Sequence, residues 1–326
     1  MGRRADHGEV EGAEQYHETR VKAVICTRYG SPEFLRLAEV EKPEPRKGEV
    51  RIRIRATAVT ASDCLIRGLK APRRYRLLMR LLFGWTAPRQ PILGMVLAGE
   101  IDAIGSNVTQ YKVGDEVFGL TQRRFGTNAQ YICWPANGIL TTRPANLTFE
   151  EAAALPYGAL IAMFFIRRAD IQPGHNVLVY GASGAIGTAA VQLLHHRGVR
   201  VSGVCSTTNI ALVRSLGAST VIDYTAEDFT RRSERYDVIF DAVGRRKSSQ
   251  ALVDAARVLT PGGKVISVDD AFPRLLASDL VVLKELAESG AVKPVIDRTY
   301  PLEEMVEAHR YVDAGHKKGN VVITVD

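Results

Sequence analysis

Residues 177–194 read VLVYGASGAIGTAAVQLL, an apolar and β-branched run that breaks into small residues and resumes with helix formers. A strand, a tight turn and a helix produce this pattern. Aligned on G-x-G-x-x-G, the turn has the form A-x-G-x-x-G, with Ala182 first and Gly184 and Gly187 in the last two places. Each position answers a physical need. At Gly184 the backbone can approach a pyrophosphate with no Cβ in the way, and at Gly187 the helix can pack close to the strand. The helix N-terminus adds unpaired N–H groups and the positive end of its dipole. Gly181, Ala182, Ser183, Gly184, Ala185, Ile186 and Gly187 therefore form the expected cradle for a dinucleotide. A glycine turn alone is a weak signal, and its place at the head of a strand–helix series makes it a strong one.

That series runs through NVLVYG, AIGTAAVQLLHHRG, RVSGVCS, NIALVRSLGA, TVIDY, YDVIFDAVG, SQALVDAARVL and GKVISVDD. Strands alternating with helices argue for right-handed crossovers and a doubly wound parallel sheet over residues 147–270. Before it, from Val21 to about Pro144, short β-rich runs lie between turn signals and predict a β-dominated unit. The texture changes at TFEEAAALPYGALIAMFFIRRAD, where Thr148 and Glu151 have capping-box spacing and Pro156 marks a break in a helix. A tail with a helical run, SDLVVLKELAESG, and a last strand, NVVITVD, completes the chain. At 326 residues two domains are expected.

Residues 1–20 are polar and charged, without the apolar segment of a secretory signal or the acid-poor character of a transit peptide, and predict a flexible extension. No run approaches the roughly 20 uninterrupted apolar residues of a membrane helix, so a soluble protein without membrane insertion is expected. Cys26, Cys64, Cys133 and Cys205 lie far apart with no C-x-x-C pair, which argues against a zinc knuckle or disulfide scaffold and suits a reducing cytoplasm. The net charge of +7 fits either an anionic ligand or a general bias toward arginine. In RIRIRATA, Arg51, Arg53 and Arg55 alternate with apolar residues as on the solvated face of an edge-exposed strand. PRRYRLLMRLLFGW, residues 72–85, mixes basic and large apolar side chains at near-helical spacing. It reads as a helix packed on its own domain, with a membrane-surface or substrate-lid helix as the alternative.

An NAD site usually carries Asp or Glu at the end of the second strand, about 20 residues beyond the glycines. Here that strand ends in Cys205, Ser206, Thr207 and Thr208. The missing acid favours NADP over NAD, with the Ser206 and Thr207 hydroxyls as phosphate donors and Arg214 as a charge partner. The same residues would also serve as ordinary strand-end caps.

Taken in order, ILGMVLAGEIDAIGSNVTQYKVGDEVFG, AAALPYGALIAMFFI, the glycine turn, LGASTVIDY, YDVIFDAVG, LTPGGKVISV and KKGNVVITV carry a resemblance that covers nearly everything from Val21 onward. The chain resembles zinc-independent medium-chain dehydrogenases/reductases of the quinone oxidoreductase or enoyl reductase type. The resemblance implies an α/β architecture: a GroES-like β-barrel domain from residues 21–146 and 271–326, with a Rossmann domain, 147–270, inserted. The active cleft would lie at their junction. Relatives that use zinc carry Cys three residues before the Asp of an SD motif and Gly-His-Glu in the next block. This chain has Thr60 before Ser62-Asp63, and Gly94-Met95-Val96, so neither soft nor borderline ligands stand there and no metal is expected.

Without a Lewis acid, oxidation of a simple alcohol loses its charge stabilisation, whereas reduction of a quinone or an activated C=C bond demands less. The expected function is NADPH-dependent reduction of quinones or α,β-unsaturated carbonyls, driven mostly by alignment in a dry cleft. By resemblance Thr60 and Asp63 sit beside the nicotinamide, Asp63 ordering the loop rather than donating a proton, and Tyr157 lines the cleft. Tyr224 would face the adenosine end, and Val243 and Gly244 would border the cofactor. His195 and His196 fall at the C-terminal end of the Rossmann helix, far from the reacting carbon. There are two departures. Thr208 and Asn209 stand where NADPH-using relatives place a basic residue, and the 269–278 connection is too short for the added segment that relatives use to dimerise, so a homodimer is expected to be weakened. Two other readings remain: a zinc-free oxidoreductase of another carbonyl or alcohol, and an NADPH-binding crystallin-like protein that binds nucleic acid. The second lacks the aromatic-interleaved basic surface on which single strands stack.

Overall fold

The computed structural model describes residues 19–70 and 73–326, so the expected extension lies, up to residue 18, outside the described residues. The first part comprises β1 (Arg20–Cys26), β2 (Leu35–Glu41), β3 (Glu49–Val59), α1 (Ala61–Arg67), α2 (Arg73–Phe83), β4 (Val96–Ile104), β5 (Glu116–Leu120), β6 (Tyr131–Pro135) and β7 (Leu140–Thr142). β1 and β2 form an antiparallel ribbon. The others build a sheet around β3, with β4 antiparallel to it on one side and β6 on the other.

RIRIRATA is therefore not an edge strand, and that expectation is corrected. Its alternation holds: Ile52 and Ile54 are shut in the barrel core, each contributing about 2 kcal/mol. The arginines can occupy a central strand because neighbouring acids meet them. Arg51 donates to Asp102 at 2.8 Å and Glu44 at 2.6 Å, and Arg55 stands 3.9 Å from Glu100.

The second part runs α3 (Phe149–Ala153), α4 (Pro156–Arg168), β8 (Asn176–Tyr180), α5 (Ala185–His196), β9 (Arg200–Cys205), α6 (Ile210–Ser215), β10 (Thr220–Asp223), β11 (Tyr236–Asp241), α7 (Arg245–Ser248) and β12 (Leu259–Ser267). Its five strands are all parallel, in the order β10-β9-β8-β11-β12. Val177, Leu178 and Val179 of β8 are wholly buried, as a strand covered on both faces requires. The capping box forms as read: the Glu151 amide donates to the Thr148 hydroxyl at 3.2 Å and the Thr148 amide to Glu151 at 2.9 Å. Pro156 then opens α4, where its missing N–H leaves no intrahelical bond unmade. SQALVDAARVL differs from its helical reading. Only Ala255 and Val258 are fully buried within it, and their spacing of three suits the 3₁₀ turn observed over Ala255–Val258.

The tail contains α8 (Ala277–Glu288), β13 (Ile296–Pro301), α9 (Met305–Ala314) and β14 (Asn320–Thr324). α8 leans on α4 through a two-pronged Arg167–Asp279 pair at 3.0 Å. The chain rejoins the barrel when β14 pairs antiparallel with β3 and β13 joins β14. Among the described residues no strand follows β12 in the parallel sheet.

Replacing Thr148 by Ala leaves the Glu151 amide without its cap. Urea unfolding is expected to show a loss of about 1 kcal/mol with an unchanged m-value.

Candidate active site

The two parts enclose a cleft of about 820 Å³, within the range of small-molecule sites. Its Rossmann wall is the turn between β8 and α5. Gly181 has φ +79°, and a Cβ there would come 2.2 Å from the Val243 side chain. Gly187 sits so close to the strand that a Cβ would be 2.1 Å from the Gly181 carbonyl. A Cβ on Gly184 would meet only the Gly181 oxygen at 3.6 Å, so space lies open above the turn, facing the N-terminus of α5. From the tail, the Gly319 amide donates to the Ser183 carbonyl at 2.8 Å and ties the barrel side to the turn.

Asp241, buried at the end of β11, holds the opposite lip. One of its oxygens accepts from the Val243 and Gly244 amides at 3.1 Å, and the other from the Ser248 and Ser267 hydroxyls. At the far end Asn209 donates to the Ser183 hydroxyl at 3.1 Å and the Ser206 hydroxyl at 3.2 Å, while its own carbonyl oxygen is buried with no partner. An open glycine cradle, a helix N-terminus, fixed hydroxyls and an unpaired acceptor fit a nicotinamide dinucleotide.

Ten of the residues singled out from the sequence line this cleft: Thr60, Tyr157, Gly181, Ser183, Gly184, Ala185, Ile186, Ser206, Tyr224 and Val243. Ala182, Gly187 and Gly244 lie behind its surface, where they set backbone approach. Asp63 is buried beneath the barrel loop, and Arg214 is exposed on α6. The Thr207 hydroxyl turns away and donates to Asp223, which also accepts from Thr225 at 2.7 Å. Those hydroxyls, Thr207 first, hold the Asp223 carboxyl below the usual range. Parallel register sets Asp223 opposite Cys205, so an acid does stand beside the end of β9, on the next strand and outside the residues that line the cleft. The Asp in VIDY marks it in the sequence once the strand order is known.

On the barrel wall Thr60 caps α1. Its amide and hydroxyl donate to Asp63 at 2.8 and 2.6 Å, the Asp63 amide donates back to the Thr60 hydroxyl, and the Gly94 amide donates to Asp63 at 3.2 Å. Burial pushes the Asp63 carboxyl up to about 6, against the pull of these donors. The acid is ionised near neutrality and holds the Thr60 proton. Ser62 and the Tyr157 hydroxyl meet at 2.9 Å, joining α1 to α4, and burial raises the Tyr157 phenol to about 12.

Deeper, His309 Nδ1 accepts from the Arg67 guanidinium at 3.3 Å and lies 3.4 Å from the Cys64 sulfur. Because Arg67 can only donate, the imidazole proton is on Nε2, which is buried without a partner. Burial, then the Arg67 charge, pushes His309 down to about 3. Lys317, half-buried, lines the cleft and its ammonium donates to the Gly319 carbonyl; loss of solvent around it brings it down to about 8. Nothing in its surroundings in sequence distinguished Lys317 from Lys318.

This end of the cleft does not fit a zinc ion. Its soft and borderline donors are Cys64 and His316 on the cleft lining and His309 behind it, the Arg67 cation occupies His309 Nδ1, and no group of three or more His, Cys, Asp or Glu side chains comes together among the described residues.

Residues 46–160 match the alcohol dehydrogenase GroES-like domain, and residues 185–291 and 271–323 match two zinc-binding dehydrogenase families. The chain is 31% identical over 325 residues to a 2-methylene-furan-3-one reductase of Solanum lycopersicum, covering 94% of this chain and 79% of that protein. It is 31% identical to an NADPH-dependent alkenal/one oxidoreductase of Arabidopsis thaliana, covering 93% and 79% respectively. Among solved structures, a CurK enoyl reductase superposes with a TM-score of 0.80 at 26% identity, covering 95% of this chain and all of that one.

Gly184→Ala and Gly187→Ala separate the roles of the two glycines. The first is expected to keep the wild-type Tm and weaken binding of a nicotinamide dinucleotide, because its Cβ projects into open space above the turn. The second must force α5 off β8 and lower both; fluorescence titration and thermal melts read the pair.

Proposed function

The chain belongs to the medium-chain dehydrogenase/reductase family, and from that premise we propose that it reduces quinones or α,β-unsaturated carbonyls with NADPH and without zinc. One observation carries this reading. The glycine cradle faces, across a single cleft, a wall of Thr60, Tyr157 and Lys317 in which the Lys317 ammonium keeps protons to donate, and among the described residues no metal ligand set gathers there. When bound, the nicotinamide would supply a hydride to an electron-poor carbon.

The chain's own residues do the rest. The turn and the start of α5 hold the diphosphate, and Asn209 fixes the Ser183 and Ser206 hydroxyls at the adenosine side. There the cleft presents the Ser206 and Thr208 hydroxyls, while Asp223 is turned onto Thr207 and Thr225. Those hydroxyls can donate to a 2′-phosphate, and Asp223, ionised, does not line the cleft, which supports NADP over NAD. The Thr60 proton is engaged by Asp63, so Thr60 shapes the loop and leaves charge stabilisation to another group. Lys317 is that group: its ammonium stabilises the negative charge that develops on the substrate oxygen and has a proton to give.

NADPH oxidation, followed at the nicotinamide absorbance with a panel of quinones, enones and 2-alkenals, tests the reading. Turnover is expected with a higher kcat/KM for NADPH than for NADH, and failure of either cofactor to bind would sink it. With Lys317 cationic below about pH 8, kcat should fall as pH rises through that value. Lys317→Met should lower kcat about 100-fold at pH 7 and flatten that limb.

A further inference from the structure

Helix α2, Arg73–Phe83, turns Leu77, Leu78, Leu81 and Leu82 outward, each between 51% and 60% exposed, and Trp85 beyond its end is 57% exposed. The C-terminal end of the same helix is anchored. Phe83 packs edge-on to Phe125 at 6.1 Å, and the Tyr29 hydroxyl donates to the Gly84 carbonyl at 3.1 Å. The helix thus meets its own domain through Phe83 while the four leucines stay exposed.

The charge of the segment is one-sided in sequence, although Asp313 from α9 meets two of its members, the buried Arg67 and Lys70 at 2.6 Å, which leaves the five arginines from Arg73 to Arg89 as the charge of the α2 region. From Cys64 to Gly99 the chain has no Asp or Glu and seven basic residues, Arg67, Lys70, Arg73, Arg74, Arg76, Arg80 and Arg89. That local excess of seven equals the excess of the entire chain, 43 Lys and Arg against 36 Asp and Glu, so the remainder is balanced. Leucines beside arginines, with a tryptophan at the end, match the two layers of a lipid interface: acyl boundary for the leucines, anionic headgroups for the arginines.

We propose that α2 and Trp85 dock the protein on the surface of an anionic lipid bilayer, lying on the membrane without crossing it. A second copy of this chain would be a poor occupant, because a two-fold contact through this face sets each basic segment against its own image. Lys70 lines the cleft and α2 begins three residues later, so docking brings one wall of the cleft to the lipid. Lipid-soluble substrates would then be within reach. That consequence rests on the reductase reading, whereas docking itself does not.

The test is co-sedimentation of the full chain with vesicles of phosphatidylcholine, with and without phosphatidylglycerol, with no cofactor or substrate present. Binding is expected to anionic vesicles, to weaken with salt, and to shift the emission of Trp85 to the blue; Trp134 is buried, and Trp85→Phe should remove the shift. Leu78→Asp combined with Leu82→Asp should abolish binding while turnover of a water-soluble quinone stays at wild type. Arg80→Gln should weaken binding to anionic vesicles about fivefold, and Arg80→Lys should restore it. Absence of binding to anionic vesicles at low salt overturns the proposal. So does binding that survives the leucine double variant, or a concentration-dependent dimer that the same variant dissolves.

Discussion

How near α5 comes to β8 depends on Gly187, whose place against the Gly181 carbonyl admits no side chain. That approach brings the first N–H groups of α5 to the tip of the central strand, where a diphosphate needs them. It also sets the Ser183 carbonyl where Gly319 can donate to it, and Gly319 leads directly into β14. β14 in turn lies on β3, at the centre of the other sheet. A contact of two glycines thus governs the cofactor wall and the seam between the domains together.

Around that seam, burial and hydrogen bonding oppose each other in ways that assign chemical roles. Asp63 is buried, which disfavours its charge, yet three donors aim at it, so it stays an acceptor and commits the Thr60 proton. His309 has no compensating acceptor and stays neutral, with Arg67 and Cys64 on one nitrogen. Lys317 lies between these cases: burial lowers its ammonium into the range where loss of charge falls near physiological pH. The group best able to meet charge on a substrate is therefore the one whose charge is held most loosely.

Basic charge is distributed as unevenly as burial. Outside Cys64–Gly99 the chain is balanced, with acids placed beside the arginines of β3. Inside that span no acid is available in sequence, and α2 is where large apolar side chains are left facing out. Both departures from ordinary globular surface occur in one segment next to the cleft, which is why they are read together.

Much of the fold is legible in the chain because its signals are local. The glycine turn, the Thr148–Glu151 cap, the break at Pro156 and the alternation of strands with helices each depend on residues within a few positions of one another, and each appears where read except the last helix of the series, SQALVDAARVL, which holds a 3₁₀ turn. What failed to show were relations between strands and between domains. Nothing along RIRIRATA says that β4 and β6 flank it, nothing near Ser206 points to Asp223 on the next strand, and nothing in HKKGN says which lysine enters the cleft. Sequence by itself determined most of the elements, the glycine turn between β8 and α5, and the absence of Cys and His at Thr60 and Met95. Only the tertiary structure decided which charges meet, because register and packing bring together side chains that the chain holds dozens to hundreds of residues apart.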